Sequence, residues 1–425
     1  MRGPGFLIVL CLSTAAYCQS SQYPTPVITG YVTRAVSGSD FDVNAIRVIC
    51  GPDTRFGSSA GAFYESGCPE VAPAFGQKID VYGHVNKKKG TVAAERLEIK
   101  PIARDDISGF AVIDAVVGTG AGAAGTAQVR ADGYRILVTA GTEVSFEAPL
   151  GSMADVMTNV WIEYDAKARP DGVLVARRAK FSQNLISDKE DAMRAKSEYD
   201  PAAVPAEAKQ NVVAIAVGIP PDPKKIPPWP DQEMQERLNA VGEKLVPAYQ
   251  HQLAASDPSR IEFRFQLTDG KRWPLVMTLP SGIILVPHQV VERMENDSQL
   301  AEVLADAIAC ALEKQTYRMR LASAAVTTGA LASWAEFVPL IGGPAALAGI
   351  GSGTTQLVVI RKEEHQSGRV SLDLMYDAGY DVREAPMAWW LLNSRKPKPV
   401  EEIDMPDRAA YLYRIIAETW RAARS

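Results

Sequence analysis

Residues 296–315 read NDSQLAEVLADAIACALEKQ, and residues 279–291 just before them read LPSGIILVPHQVV. The earlier run of aliphatic residues is typical of a buried strand, and the later run predicts a helix. Positions four apart in a helix share a face. Asp306 and Cys310 therefore lie on one face, and Ala307 follows directly after Asp306.

This strand and helix resemble the zinc metallopeptidase family that includes the CAAX prenyl endopeptidases and HtpX-type proteins. In that family an L-P-G-G-x-I-x-V strand precedes a helix that ends in H-E-x-x-H. The two imidazoles bind one zinc ion, and the glutamate deprotonates the bound water. The corresponding residues 306–310 read DAIAC. Both histidines and the glutamate are therefore replaced.

A second set of matches lies in residues 361–385, RKEEHQSGRVSLDLMYDAGYDVREA. Arg361 and Glu364 fit the family's R-x-x-E, which by resemblance gives Glu364 the position of the third zinc ligand. The later A-G-Y-D at residues 378–381 fits a motif that follows in the family. The family's aspartate, which braces a zinc-binding histidine, falls on Gly368, so this support is missing as well.

Two interpretations of these residues remain. Carboxylate and thiolate groups are both zinc ligands, so Asp306, Cys310 and Glu364 could hold zinc in a divergent metal-dependent endopeptidase. Alternatively, Cys310 is a small buried residue beside a hydrogen-bonded Asp306, and no cofactor is bound. Proton transfer by a positioned base contributes about 10²–10⁴-fold to catalysis, and Ala307 cannot supply it. We favour a pseudopeptidase that acts as a binding or scaffold module, with no catalytic residue.

The resemblance covers residues 211–425 and implies an α+β, gluzincin-like metallopeptidase domain. Within it, the sequence IEFRFQLTDGKRWPLVMTLPSGIILV at residues 261–286 predicts two strands about the Asp269–Gly270 turn. Residues 321–359 are rich in Ala, Gly, Ser and Thr and contain Glu336, Pro339 and Pro344. These residues favour a packed helical hairpin, but membrane association through this segment stays open.

The first residues have the layout of a signal peptide. Arg2 precedes an apolar run, and small or polar residues follow, so residues 1–20 are predicted to be removed after Cys18 or Ser20. Tyr17 is a poor fit to the position before a lipid-modified Cys18, so we expect no lipoprotein. The mature chain is predicted to be exported to the periplasm or the extracellular space.

Residues 26–101 and 106–181 form a duplicated β pattern. Gly30 corresponds to Gly109 and Arg96 to Arg178, about 80 residues apart. Alternating apolar and polar residues between Gly, Asp and Asn predict short antiparallel strands that close into two small barrels. The pattern resembles OB-like domains of unknown function from bacterial secreted proteins. We expect these barrels to dock a protein or an envelope polymer, or to act as spacers.

The cysteines support the prediction of export. Outside residues 1–20 the chain has Cys50, Cys68 and Cys310. Cys50 and Cys68 share one strand-rich segment, and disulfides persist outside the cytoplasm. We predict a Cys50–Cys68 disulfide, with Cys310 remaining a thiol.

The composition argues against nucleic-acid binding, and two short motifs argue neither for a serine hydrolase nor for a dinucleotide-binding protein. The chain has 425 residues and a net charge of −5, which argues against nonspecific nucleic-acid binding. Residues 182–210 are polar and predict an interdomain linker with an exposed helix. Ser59 lies in a G-x-S-x-G, and residues 120–125 contain a G-x-G-x-x-G, but neither has the helix that a nucleophile elbow or a dinucleotide site needs.

Overall fold

The computed structural model describes residues 25–59, 64–101, 106–119, 126–205, 222–270, 275–318, 353–393 and 405–420. Two five-stranded β-barrels come first, and a region of helices and a three-stranded sheet follows. Each of the three parts has its own apolar core. The two predicted OB-like barrels are thereby confirmed, and the assignment of the last part to a peptidase family stays a prediction.

The first barrel lies between residues 28 and 99. Its strands are β1 Ile28–Ser37, β2 Asp40–Val43, β3 Ile46–Ile49, β4 Arg55–Ser58, β5 Tyr64–Ser66, β6 Lys78–Asn86 and β7 Thr91–Ile99. The barrel closes in the order β1-β2-β3-β7-β6, with β3 parallel to β7. Strand β4 adds to β7 in parallel, and β5 pairs with β4. This Greek-key closure is that of an OB-like barrel.

The second barrel repeats this arrangement between residues 106 and 183. Its strands are β8 Asp106–Thr119, β9 Ala127–Ala131, β10 Tyr134–Val138, β11 Glu143–Phe146, β12 Val160–Ala168 and β13 Leu174–Gln183. They close in the order β8-β9-β10-β13-β12, with β10 parallel to β13, and β11 adds to β13 in parallel. The strand order therefore confirms the predicted duplication.

The residues that signalled the duplication occupy matching places. Arg96 pairs in register with the first residue of β4, and Arg178 pairs with the first residue of β11. A methyl group on Gly30 would lie 2.3 Å from Oδ1 of Asn44, and one on Gly109 would lie 2.7 Å from Oδ2 of Asp132. Because Gly30 has no side chain, Asn44 of the β2–β3 turn can pack against it. Gly109 leaves the same room for Asp132 of the β9–β10 turn.

The Cys50–Cys68 disulfide is present, as predicted. It joins the end of β3 to the loop after β5, with 5.6 Å between the two Cα atoms. Cys310 is a buried thiol outside this disulfide.

The segment between the barrels and the last part contains one short helix with a few buried residues. Its helix, α1, spans Asp188–Lys196 and begins at the capping side chain of Ser187. Met193 and Tyr199 are buried, the latter against residues of the three-stranded sheet. Most residues of α1 are exposed, as predicted for this helix, and Glu190 and Met193 are its buried residues. Residues 206–210 of the predicted linker lie outside the described residues.

The last part contains three strands and seven α-helices in the described ranges. They are α2 Gln232–Leu245, α3 Ala248–Gln252, β14 Arg264–Thr268, β15 Met277–Thr278, β16 Ile283–Pro287, α4 His288–Arg293, α5 Asp297–Leu312, α6 Gly353–Asp377, α7 Ala385–Asn393 and α8 Asp407–Ile415. A π-helical turn, Ile416–Trp420, follows α8.

The sheet order corrects one prediction. The order is β14-β16-β15, with β14 parallel to β16, so the strands flanking Asp269–Gly270 do not form a hairpin. All five residues of β16 are buried, and such a strand takes the central place because both of its faces are covered. The predicted strand over residues 279–291 is also too long, since α4 begins at His288.

Three further predictions fall wholly or partly outside the described residues. Residues 1–20 and 120–125 lie outside it, as does most of the segment 321–359. Only the last residues of that segment are described, as the start of α6. None of the helices in the described ranges has the length and apolar character to span a bilayer.

Candidate functional site

The site predicted from the sequence lies where α5 and α6 pack together. Ser371 of α6 donates a hydrogen bond of 2.9 Å to Glu302 of α5. On another side α5 contacts the sheet, and Thr278 of β15 donates to the carbonyl oxygen of Ala307 at 3.3 Å. Helices α5 and α6 therefore lie side by side, and α5 packs against the sheet.

Helix α5 is buried around almost its whole circumference. Its first turn is capped by Asn296, whose side chain accepts the backbone N–H of Gln299 at 3.0 Å. Asp306 and Ala307 are fully buried, and Cys310 is 1% exposed. A buried carboxylate needs a partner of opposite charge or hydrogen-bond donors.

Arg408 of α8 supplies that partner. Its Nη2 donates to Oδ1 of Asp306, and its guanidinium carbon lies 3.5 Å from the ring centre of Trp389. The arginine side chain is only 13% exposed. The pair is therefore a buried ion pair, with the guanidinium stacked on an indole ring.

The other predicted ligand residues influence the same cation electrostatically. Burial lowers the pKa of Arg408, but Asp306, Glu364 and Cys310 all raise it, and the net pKa lies above the usual value. All three predicted zinc-ligand positions therefore act electrostatically on Arg408, and Asp306 is in direct contact with it. Within the described residues, no group of three or more His, Cys, Asp or Glu side chains is placed to hold a metal ion.

Glu302, one helical turn before Asp306, completes the acidic cluster. It accepts hydrogen bonds from Nε1 of Trp389 at 2.7 Å and from Ser371. Burial, and next the charge of Asp306, raise the pKa of Glu302 to about 8. This carboxyl is therefore largely protonated at neutral pH, which limits the repulsion between Glu302 and Asp306.

The residues after Glu364 hold α6 in place. His365 stacks on Tyr411 of α8, with 3.7 Å between ring centres. Gly368 packs beside Leu412, where an added methyl group would lie 3.3 Å from a leucine carbon. Arg369 donates to Asp132 of the second barrel and to the hydroxyl of Tyr411. These positions join α6 to its neighbours.

Ser59 is the last described residue before a gap at residues 60–63, which contains the rest of its motif. It follows β4 at an exposed turn, and β4 pairs with strands β5 and β7 rather than leading into a helix.

Three residues of the site could not be found from the sequence motifs. Arg408, Trp389 and Glu302 correspond to none of the specified positions in the family's motifs. Arg408 is 102 residues from Asp306. In the sequence, Arg408 appears only as an arginine in the first turn of a helix whose opposite side is apolar. Such arginines are common on protein surfaces, so this one gives no indication of a site.

The comparisons with known proteins concern the first barrel. A family model described as a domain of unknown function (DUF5666) matches residues 29–98. The match begins in β1 and ends in β7. No curated protein matches the chain.

Proposed function

We propose that the chain is an exported, peptidase-like protein whose last part has lost hydrolytic activity and serves as a binding or scaffold module. The ordered motif matches in residues 211–425 support the family assignment, and so does the packing of α5 against α6 and the sheet. A fold alone does not establish activity. The proposal therefore depends on the side chains at the site.

The observation that carries the proposal is the position of Arg408. A guanidinium already neutralises Asp306 and interacts electrostatically with Glu364 and Cys310, the positions that correspond to zinc ligands. A divalent cation at this point would be repelled by the guanidinium at short range. Zinc therefore does not fit these side chains as they are arranged, and Ala307 offers no base.

The two barrels and the disulfide support the remaining parts of the proposal. A disulfide at Cys50–Cys68 favours an oxidising compartment, in keeping with the periplasm or the extracellular space. The partner we propose is a protein or an envelope polymer bound by the barrels, and not nucleic acid. Membrane association through residues 321–359 remains a separate proposal.

The second candidate function is a divergent metal-dependent endopeptidase. Asp306, Cys310 and Glu364 all act electrostatically on Arg408, and carboxylate and thiolate groups are zinc-type ligands. The test is cleavage of an unfolded protein substrate by the purified mature chain, with and without chelator. We expect no chelator-sensitive cleavage. Such cleavage, abolished in Glu364→Ala, would establish the endopeptidase instead.

A further inference from the structure

A small cleft lies where α1 meets the end of α5 and the edge strand β15. Arg194 and Glu190 of α1 line it together with Lys314, which follows α5. Thr316 and Tyr317, which each carry a hydroxyl group, also line it. The cleft has room for about one water molecule, so a group bound there can be no larger than a single small ion.

The charges in this cleft do not balance. Nη2 of Arg194 lies 2.9 Å from one oxygen of Glu190, and Nζ of Lys314 lies 3.0 Å from the other. The three side chains are 15%, 8% and 4% exposed, in the order Arg194, Lys314, Glu190. Glu190 is the one carboxylate among the described lining residues. One positive charge is therefore left over in a mostly buried place, which is unfavourable without an anion.

Both cations also have N–H groups left for a ligand. The ammonium group of Lys314 has three donors, and within the described residues its acceptors are Glu190 and the carbonyl oxygen of Leu185, the latter at 2.9 Å. The guanidinium of Arg194 has five donors, and its described acceptors are Glu190 and the carbonyl oxygen of Pro258, the latter at 2.9 Å. Each side chain can therefore donate a further hydrogen bond to an anion.

The protonation of Lys314 reflects the same imbalance. Burial lowers the pKa of Lys314, Glu190 offsets part of this effect, and the charge of Arg194 lowers the pKa further. A bound anion would raise this pKa and stabilise the ammonium form. A water molecule would fill the same space without compensating the charge.

We propose that this cleft binds a single chloride ion between Lys314 and Arg194, and that the ion holds α1 against the end of α5. Chloride is only slightly larger than a water molecule and supplies the one negative charge that the lining residues lack. Sulfate, phosphate and organic acids carry negative charge as well, but they are too large for the space. The site lies apart from Asp306 and Arg408, so it does not depend on the proposed function.

The test is the line width of the chlorine NMR signal of sodium chloride in the presence of the full mature chain. We expect the protein to broaden this signal, sodium bromide to reverse the broadening by competition, and sodium sulfate at the same ionic strength to leave most of it. Lys314→Met should weaken chloride binding at least about tenfold, because a charge-assisted hydrogen bond is lost. Glu190→Gln should strengthen it, because the competing carboxylate charge is removed. Lys225→Met, at an exposed ion pair with Asp222, is the matched control and should change nothing.

The Lys314 and Glu190 variants act in opposite directions, so a general loss of folding cannot produce both results. Absence of broadening in the native protein, or unchanged broadening in Lys314→Met, would overturn the proposal. Sulfate that reverses the broadening as well as bromide does would also overturn it, because only weak binding of anions to the protein surface would then be present.

Discussion

At the residue scale, the site is governed by one buried ion pair. Asp306 is fully buried, and Arg408 is its charged partner, lying against Trp389. A buried ion pair adds little over an apolar pair, but the loss of one partner leaves an uncompensated charge. The pair therefore fixes the position of α8 over α5.

Removing only the arginine should be strongly destabilising. We expect Arg408→Met to lower the free energy of unfolding by about 3–5 kcal/mol, since Asp306 is left alone in the core. Adding Asp306→Asn to the Arg408→Met variant should restore part of the lost free energy of unfolding. Urea unfolding of the two variants measures both effects. Arg383→Met, at an exposed pair with Asp381, is the control and should cost less than about 1 kcal/mol. Equal effects of the Arg408 and Arg383 changes would contradict the account.

Glu302 should make stability depend on pH. Its folded pKa of about 8 lies above the ordinary value of 4.5, so the folded state binds more protons between these values. The free energy of unfolding should therefore fall as pH rises from 4.5 to about 8. Glu302→Gln cannot titrate, so its stability should change less over this range. Urea unfolding across this pH range checks the difference. Parallel curves for the two proteins would refute the role given to Glu302.

The turn between β2 and β3 offers a stabilising change. Ala45 has φ +58°, whereas Gly133 occupies the matching place in the second barrel with φ +71°. An alanine in the left-handed region costs about 1 kcal/mol, so Ala45→Gly should raise stability by up to that amount. Ala35→Gly, in β1, should lower it by about 0.5–1 kcal/mol. Thermal unfolding distinguishes the two, and a destabilising Ala45→Gly would show that the turn is not strained.

At the element scale, the second barrel and α6 share a polar seam. Arg369 donates to the backbone and side-chain oxygens of Asp132 in the β9–β10 turn. Arg130 of β9 binds Asp377 near the end of α6, with a separation of 3.0 Å from its Nη1. Gly133 has no room for a side chain, because a methyl group there would lie 2.5 Å from Arg369. The second barrel therefore packs directly against α6, the helix that contains Glu364.

Breaking this seam should loosen both elements together. In Arg369→Met the buried Asp132 loses its cation, and we expect a loss of about 3 kcal/mol. Hydrogen exchange should become faster in the β9–β10 turn and in α6 while the first barrel is unaffected. Arg178→Met, at an exposed pair with Asp165 on the same barrel, is the control. Unchanged exchange in α6 would argue against the seam as a structural link.

Elements differ in how well the sequence predicts them. The helix around Asp306 and both barrels follow from local apolar patterns, and the Cys50–Cys68 disulfide follows from two cysteines in one strand-rich segment. The partner of Asp306 does not, because Arg408 reaches it only through tertiary packing. The order of the three-stranded sheet was also missed, because the Asp269–Gly270 dipeptide predicts a local hairpin and β16 takes the centre through its burial.

At the scale of the whole molecule, both barrels contact the helices that form the site. Tyr413 of α8 stacks on Tyr31 and packs against Phe75 of the first barrel. Glu313, just after α5, accepts the backbone N–H of Val112 in the second barrel with both oxygens, at 3.2 and 3.3 Å. Burial raises the pKa of Glu313 well above its ordinary value. These contacts join the three parts of the molecule.

The zinc content of the purified mature chain tests the central claim most directly. Because Arg408 neutralises the acidic cluster, we predict no stoichiometric zinc after incubation with zinc and gel filtration, and no difference between the native sequence and Glu364→Ala. One zinc ion per native chain, lost in Glu364→Ala, would contradict the account and establish a metal site at Asp306, Cys310 and Glu364.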